Sequence, residues 1–147
     1  MRQFDAFIKW SLLVCGLLTG SMFQAAFAPQ TVLEKTFGST LDGPVAEIVV
    51  RNWGALIGLG GLMLIYAAFR PASRPLALTV VCASKLVFIT LVLVHGRSFL
   101  SGQAGLFVAV DSAMVILFAL FLFAGGRGTT TAGFRGAKTR TEPRSRS

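Results

Sequence analysis

Apolar residues along this chain fall into four blocks, at about residues 7–28, 49–69, 76–95 and 104–124. Within each block they run almost continuously, without the regular polar face of a helix that packs on a soluble core. About 20 apolar residues, at 1.5 Å per helical residue, cross a hydrocarbon layer about 30 Å thick. That layer offers the backbone no hydrogen-bond partners, so each block must satisfy its own N–H and C=O groups as a helix. A membrane β-barrel would need shorter segments of alternating polarity, and none is visible. The pattern predicts an all-α fold: an integral membrane four-helix bundle over residues 1–126, with a basic, disordered C-terminal tail over residues 127–147.

Composition agrees with this reading. The chain has 147 residues, of which 54% are hydrophobic and only 14% charged, and its mean hydropathy is +0.70. A soluble domain of this size would need more polar surface to cover its core. The first block has some marks of a secretory signal: Arg2 and Lys9 near the start, and Ala26-Phe27-Ala28 as a small-x-small sequence. Its uncharged stretch is long for a signal, and Asp5 lies where a signal carries no acid, so retention as a true span is expected.

The polar segments set the orientation. With four spans, the N-terminus, the loop around residues 70–75 and the tail share one side, which carries ten of the basic residues: Arg2, Lys9, Arg70, Arg74, Arg127, Arg135, Lys138, Arg140, Arg144 and Arg146. The opposite side carries three, Lys35, Arg51 and Arg97. By the positive-inside rule both termini are cytoplasmic. The net charge of +8 is then a product of topology plus the tail and implies no nucleic-acid partner. The tail reads chiefly as a solvated topology determinant, although its basic residues would suit anionic lipid.

Between the first two spans, Pro29 to Gly38 reads as a short interfacial helix, with proline in its first turn and glycine at its end. Leu41-Asp42-Gly43-Pro44 reads as the turn into span two. In span one, Gly16 and Gly20 form a small-xxx-small pair that lets a neighbouring helix approach. In span two, Arg51, Gly54, Gly58 and Gly61 share one helical face, predicted to pack against another helix. Glu47, one turn before Arg51, is placed to pair with it. Trp53 and Tyr66 lie near opposite ends of the span, where aromatic belts form.

Two ionisable residues change the picture most. Lys85 interrupts span three and Asp111 interrupts span four. A charge at the centre of a membrane helix costs about 2.5–3.5 kcal/mol on insertion scales, so it normally faces protein and finds a partner. Counted from the same membrane surface, Lys85 lies roughly 15 Å deep and Asp111 roughly 10 Å, a gap a lysine stem can bridge. Arg51, near the outer boundary on the glycine face, is expected to reach inward and complete a cluster of Arg51, Lys85 and Asp111. Such a cluster would carry one net positive charge and suit an anionic or carbonyl-bearing ligand. A purely structural lock, in which Asp111 neutralises Lys85 and holds spans three and four in register, is the favoured reading of the pair itself, ahead of a ligand or proton site.

Other chemistry is weakly represented. His95, the one histidine, has no second ligand at metal-binding spacing, so no metal site is expected. Cys15 and Cys82 lie in separate spans without a CxxC and read as small apolar residues. No phosphate loop, nucleophile triad, haem-ligand pair or cofactor motif is present.

Four spans in so short a chain, together with several short motifs, resemble the DoxX-like superfamily of small bacterial four-span membrane proteins, particularly its uncharacterised members. The motifs are Ala28-Pro29 after span one, Phe37-Gly38 in the loop and Arg51-Asn52-Trp53-Gly54-Ala55 opening span two. Lys85 with Phe88, and Asp111 with Met114, Leu117 and Phe118, extend them, so that the resemblance covers roughly residues 7–125. It implies a four-helix bundle in the bacterial inner membrane. Some relatives are linked to quinone or thiol redox systems, but this chain has no thiol pair. Function is therefore expected in one of two classes. The favoured one is a non-enzymatic accessory or structural subunit whose glycine faces pack against another membrane protein or a second copy. The alternative is a small-molecule binding protein, for an anion or a quinone, acting as transporter or redox partner with its site at Arg51, Lys85 and Asp111. No internal proline or inverted repeat marks the broken helices that transporters use.

Overall fold

The computed structural model describes residues 2–126, and the tail expected to be disordered lies outside them. The order of elements is α1 (Arg2–Gly20), a 3-10 segment (Ser21–Ala26), α2 (Pro29–Phe37), α3 (Pro44–Phe69), a 3-10 turn (Pro71–Ser73), α4 (Arg74–His95), a 3-10 segment (Arg97–Ser101) and α5 (Gln103–Gly126). No strand occurs among the described residues. Four of the helical stretches are long and apolar enough to cross a membrane: Gln3–Ala26, Pro44–Phe69, Pro71–His95 and Gln103–Phe123. The chain is a multi-pass membrane protein built as an all-α bundle.

Local chemistry explains most of the boundaries. Proline opens α2 and α3, where its missing N–H costs nothing. Gly38 ends α2 in the left-handed region at φ 67°, its N–H donating to the Glu34 carbonyl, a cap that glycine adopts without strain. Span two begins at Pro44, five residues before its apolar block, because a membrane helix continues as helix into the interface. Pro71 opens the tight turn before α4, and Pro75 lies in the first turn of α4.

One boundary departs from expectation. Span one needs no proline to break: it leaves α geometry after Gly20 and completes the crossing as the 3-10 segment Ser21–Ala26. The Ser21 hydroxyl donates to the Leu18 carbonyl at 2.7 Å, satisfying an acceptor at the change of geometry. A 3-10 segment keeps its own i→i+3 bonds, and the carbonyl of Ala26 at its end is met by Arg51 of α3.

The bundle assembles as two tight helix pairs. Span one packs along α3, and α4 packs along α5. The Arg51, Gly54, Gly58 and Gly61 face of α3 is the one that receives span one. A methyl group built on Gly61 would come within 2.6 Å of the Gly16 carbonyl oxygen and of the Gly20 Cα. One built on Gly54 would meet the Ala25 Cβ at 2.6 Å, and Gly58 lies against the Phe23 ring. The glycine faces are therefore used within the chain, not left for a partner. Lipid is as apolar as leucine, so close backbone approach and dispersion, rather than water exclusion, hold such a seam.

The end of the bundle formed by the start of α1, the 70–73 turn and the last turns of α5 is closed. Its core holds Leu12, Leu64 and Phe118, all fully buried, with Ala67, Ala68, Ala77 and Leu78 joining α3 to α4. Phe4 and Phe7 pack edge-on to Phe121. Arg74 folds back so that Nε donates to the Ala67 carbonyl at 3.3 Å and one terminal nitrogen to Asp5 at 3.2 Å. It thereby caps the end of α3 and ties down α1. Lys9 sits 4.7 Å from the Phe69 ring centroid. At the opposite end α2 folds over the bundle, with Phe37 against Phe99 of the 97–101 segment.

Candidate functional site

Because the two helix pairs close together only at the Arg74 end, they separate towards α2. A cavity of about 490 Å³ fills the gap. Every spanning element contributes to its wall, and Thr36 of α2 lies over it. Lys85 and Asp111 are the two charged side chains in the lining; everything else is apolar apart from Thr19, Ser21, Thr36, Ser84 and the indole of Trp53. Leu18, Leu56, Leu59, Val80 and Leu106 both line the cavity and are exposed on the bundle surface, so it opens sideways towards the bilayer.

Lys85 of α4 donates to Oδ1 of Asp111 on α5, closing an ion pair across the α4–α5 seam that borders the cavity. The lysine side chain is 9% exposed and the carboxylate 17%. Helical spacing places Phe88 beside Lys85 and Met114 beside Asp111, and Ser84 and Val110 also line the cavity. Thr19 of α1 reaches the sulfur of Met114 at 4.0 Å, a weak contact that marks the floor. No buried side-chain nitrogen or oxygen among the described residues lacks a partner.

Arg51 does not join the pair. Its Nε and one terminal nitrogen donate to Glu47 Oε1, at 3.1 and 2.6 Å, and the other terminal nitrogen donates to the Ala26 carbonyl at 2.7 Å. The expected pairing with Glu47 forms, while the expected approach to Asp111 does not. The reason lies in the 3-10 segment: its last carbonyls lack intrahelical partners, and Ala26 presents one to the guanidinium. With Arg51 held outside the lining, the polar group in the cavity is a neutral pair rather than a cluster of net charge +1.

Trp53, assigned from sequence to an aromatic belt, instead lines the cavity, whereas Tyr66 is exposed as a belt residue would be. Thr19, Ser21, Thr36 and Ser84 also reach the site without having been singled out. Phe88 was within reach of helical spacing from Lys85; Ser21 and Thr36 depend on where the 3-10 segment and α2 fold. Cys15 is buried and Cys82 half-buried, both as free thiols packed with the core. Among the described residues no three His, Cys, Asp or Glu side chains come together as a metal site. His95 is exposed at the end of α4. No family model, no curated protein and no solved structure matches the chain.

Proposed function

We propose that this protein binds a small lipophilic molecule inside the membrane, in the cavity beside Lys85 and Asp111. The observation that carries the reading is the conjunction of a laterally open apolar cavity with the ion pair in its wall. Ligand sites are concave, mostly apolar, about 300–1,000 Å³ in volume, and carry a few convergent polar groups. An intramembrane charge is itself a functional candidate. The 3-10 end of span one also borders the cavity, through Ser21 and Met22.

The accessory-subunit reading expected the glycine faces to pack against a partner, and those of α1 and α3 are consumed against each other. Binding is therefore favoured over scaffolding. The residues expected to act are Lys85 and Asp111, with Arg51 acting at a distance by holding the 3-10 segment. The motifs quoted above support placing the chain beside the DoxX-like superfamily and in a bacterial inner membrane. The distribution of Lys and Arg supports cytoplasmic termini.

Native purification followed by mass spectrometry of co-purifying lipids and small molecules tests the reading. A stoichiometric small molecule is expected with the wild type and with Arg51→Lys, and not with a folded Lys85→Met, Asp111→Leu protein. Equal recovery from the doubly substituted protein, or a preparation that holds protein partners and no small molecule, would reject it.

A further inference from the structure

We infer, on the basis of that binding reading, that the ligand is an uncharged lipophilic alcohol or phenol, its hydroxyl seated on the Lys85–Asp111 pair and its apolar body extending towards the bilayer. Charge excludes the alternatives first. The pair is neutral as a unit, and Arg51, the cation expected to tip the balance, is held by Glu47 and the Ala26 carbonyl outside the lining. An anionic head would leave one uncompensated negative charge in a low-dielectric wall, attracted by Lys85 and repelled by Asp111. A cationic head meets the mirror-image problem. Either would lose its hydration without a counter-charge to replace it.

Hydrogen-bond capacity then selects among neutral heads. Lys85 Nζ carries three donors and gives one to Asp111 Oδ1. The second carboxylate oxygen accepts from no side chain or turn among the described residues, and Asp111 retains exposure in the cavity wall. The pair therefore presents donors and an acceptor side by side. A hydroxyl has one donor and two acceptor lone pairs, so a single oxygen can accept from Nζ and donate to the carboxylate. A ketone or ester carbonyl can only accept, which leaves the Asp111 oxygen without a partner. A hydrocarbon satisfies neither group. The hydroxyl side chains elsewhere in the lining, Thr19, Ser21, Thr36 and Ser84, and the indole of Trp53 bring no charge. The exposed apolar lining at Leu56, Leu59 and Val80 provides a route for a chain longer than the cavity can enclose.

Trp53 lies in the lining and Trp10, the second of the two tryptophans, faces away from the bundle. The full-length protein with Trp10→Phe, reconstituted in phosphatidylcholine nanodiscs, therefore reports on the cavity through Trp53 fluorescence. Four brominated probes of one chain length are compared as quenchers: an alcohol, its sulfate ester, its trimethylammonium analogue and the head-less alkane. The expected result is saturable quenching by the alcohol at a mole fraction about tenfold below that of the other three, the equivalent of about 1.4 kcal/mol. That preference should disappear in Lys85→Met, Asp111→Leu, a neutral exchange that keeps the wall packed. Tighter binding of the sulfate or the ammonium, or equal binding of alkane and alcohol, would overturn the ligand class while leaving a binding site standing. Quenching that stays linear with every probe would overturn the binding reading itself.

Discussion

Removing the Asp111 carboxylate would leave the Lys85 ammonium in the bundle wall without its partner. Breaking a buried pair from one side costs about 3–5 kcal/mol, whereas replacing both members by apolar groups of similar size is often close to neutral. Asp111→Ala should therefore lower the thermal midpoint in detergent, and accumulation in the membrane, more than Lys85→Ala and Asp111→Ala combined. A double variant whose loss equals the sum of the single losses would show that the two residues do not interact. This pair was legible from the sequence, because a charge in an apolar run must find protein, Asp111 is the one acid in the four runs, and Lys85 is the base that lies away from a run's end, unlike Lys9 and Arg51. Arg51 shows where such reasoning stops. Helical phase identifies the face a side chain occupies, but not which acceptor lies opposite, and here that acceptor is a backbone carbonyl freed by a change of helix type.

Between elements, the glycines of α1 and α3 bring two spanning helices into close backbone approach. They are not equivalent. A methyl on Gly61 meets the backbone of Gly16 and Gly20, which cannot yield without separating the helices, whereas a methyl on Gly20 meets nothing within 4 Å. Gly61→Ala is expected to destabilise by about 1–3 kcal/mol, the usual range for overpacking. Gly20→Ala should be near neutral, and thermal unfolding of the two variants in the same detergent checks the contrast. Equal effects would mean that the seam is not built on Gly61. Spacing revealed both glycine sets, and it suggested that each faces a helix. It could not reveal that they face each other, since a stripe on one helix is compatible with any neighbour of matching shape. The 3-10 end of span one was illegible for a related reason. Propensity differences between α and 3-10 backbone are small beside tertiary packing, and the residues Ser21-Met22-Phe23-Gln24 carry no breaker.

For the whole molecule, the fold groups the ends of the spans before any membrane is considered. Asp5, Arg74 and Phe121 lie at one end, and Phe37 and Phe99 lie at the other. The split of basic residues then predicts that the Arg74 end faces the cytoplasm. A reporter fused after Arg74 or after the tail should read as cytoplasmic, and one fused at Gly38 as periplasmic. A periplasmic signal from the tail fusion would invert or break this arrangement. Loss of span one would strip α3 of the surface that covers Gly54, Gly58 and Gly61, so N-terminal sequencing of the mature protein should find the span retained. Sequence by itself determined the number of spans, the helical class, the short helix α2 and the two residues that must meet, because a hydrocarbon solvent penalises unpaired backbone and unpaired charge wherever they occur. Tertiary structure alone decided that the glycine faces close on each other, that Arg51 is spent on span one, and that the helix pairs part around a neutral cavity. Those outcomes depend on the relative placement of surfaces far apart in the chain, and local hydropathy and spacing carry no record of that placement.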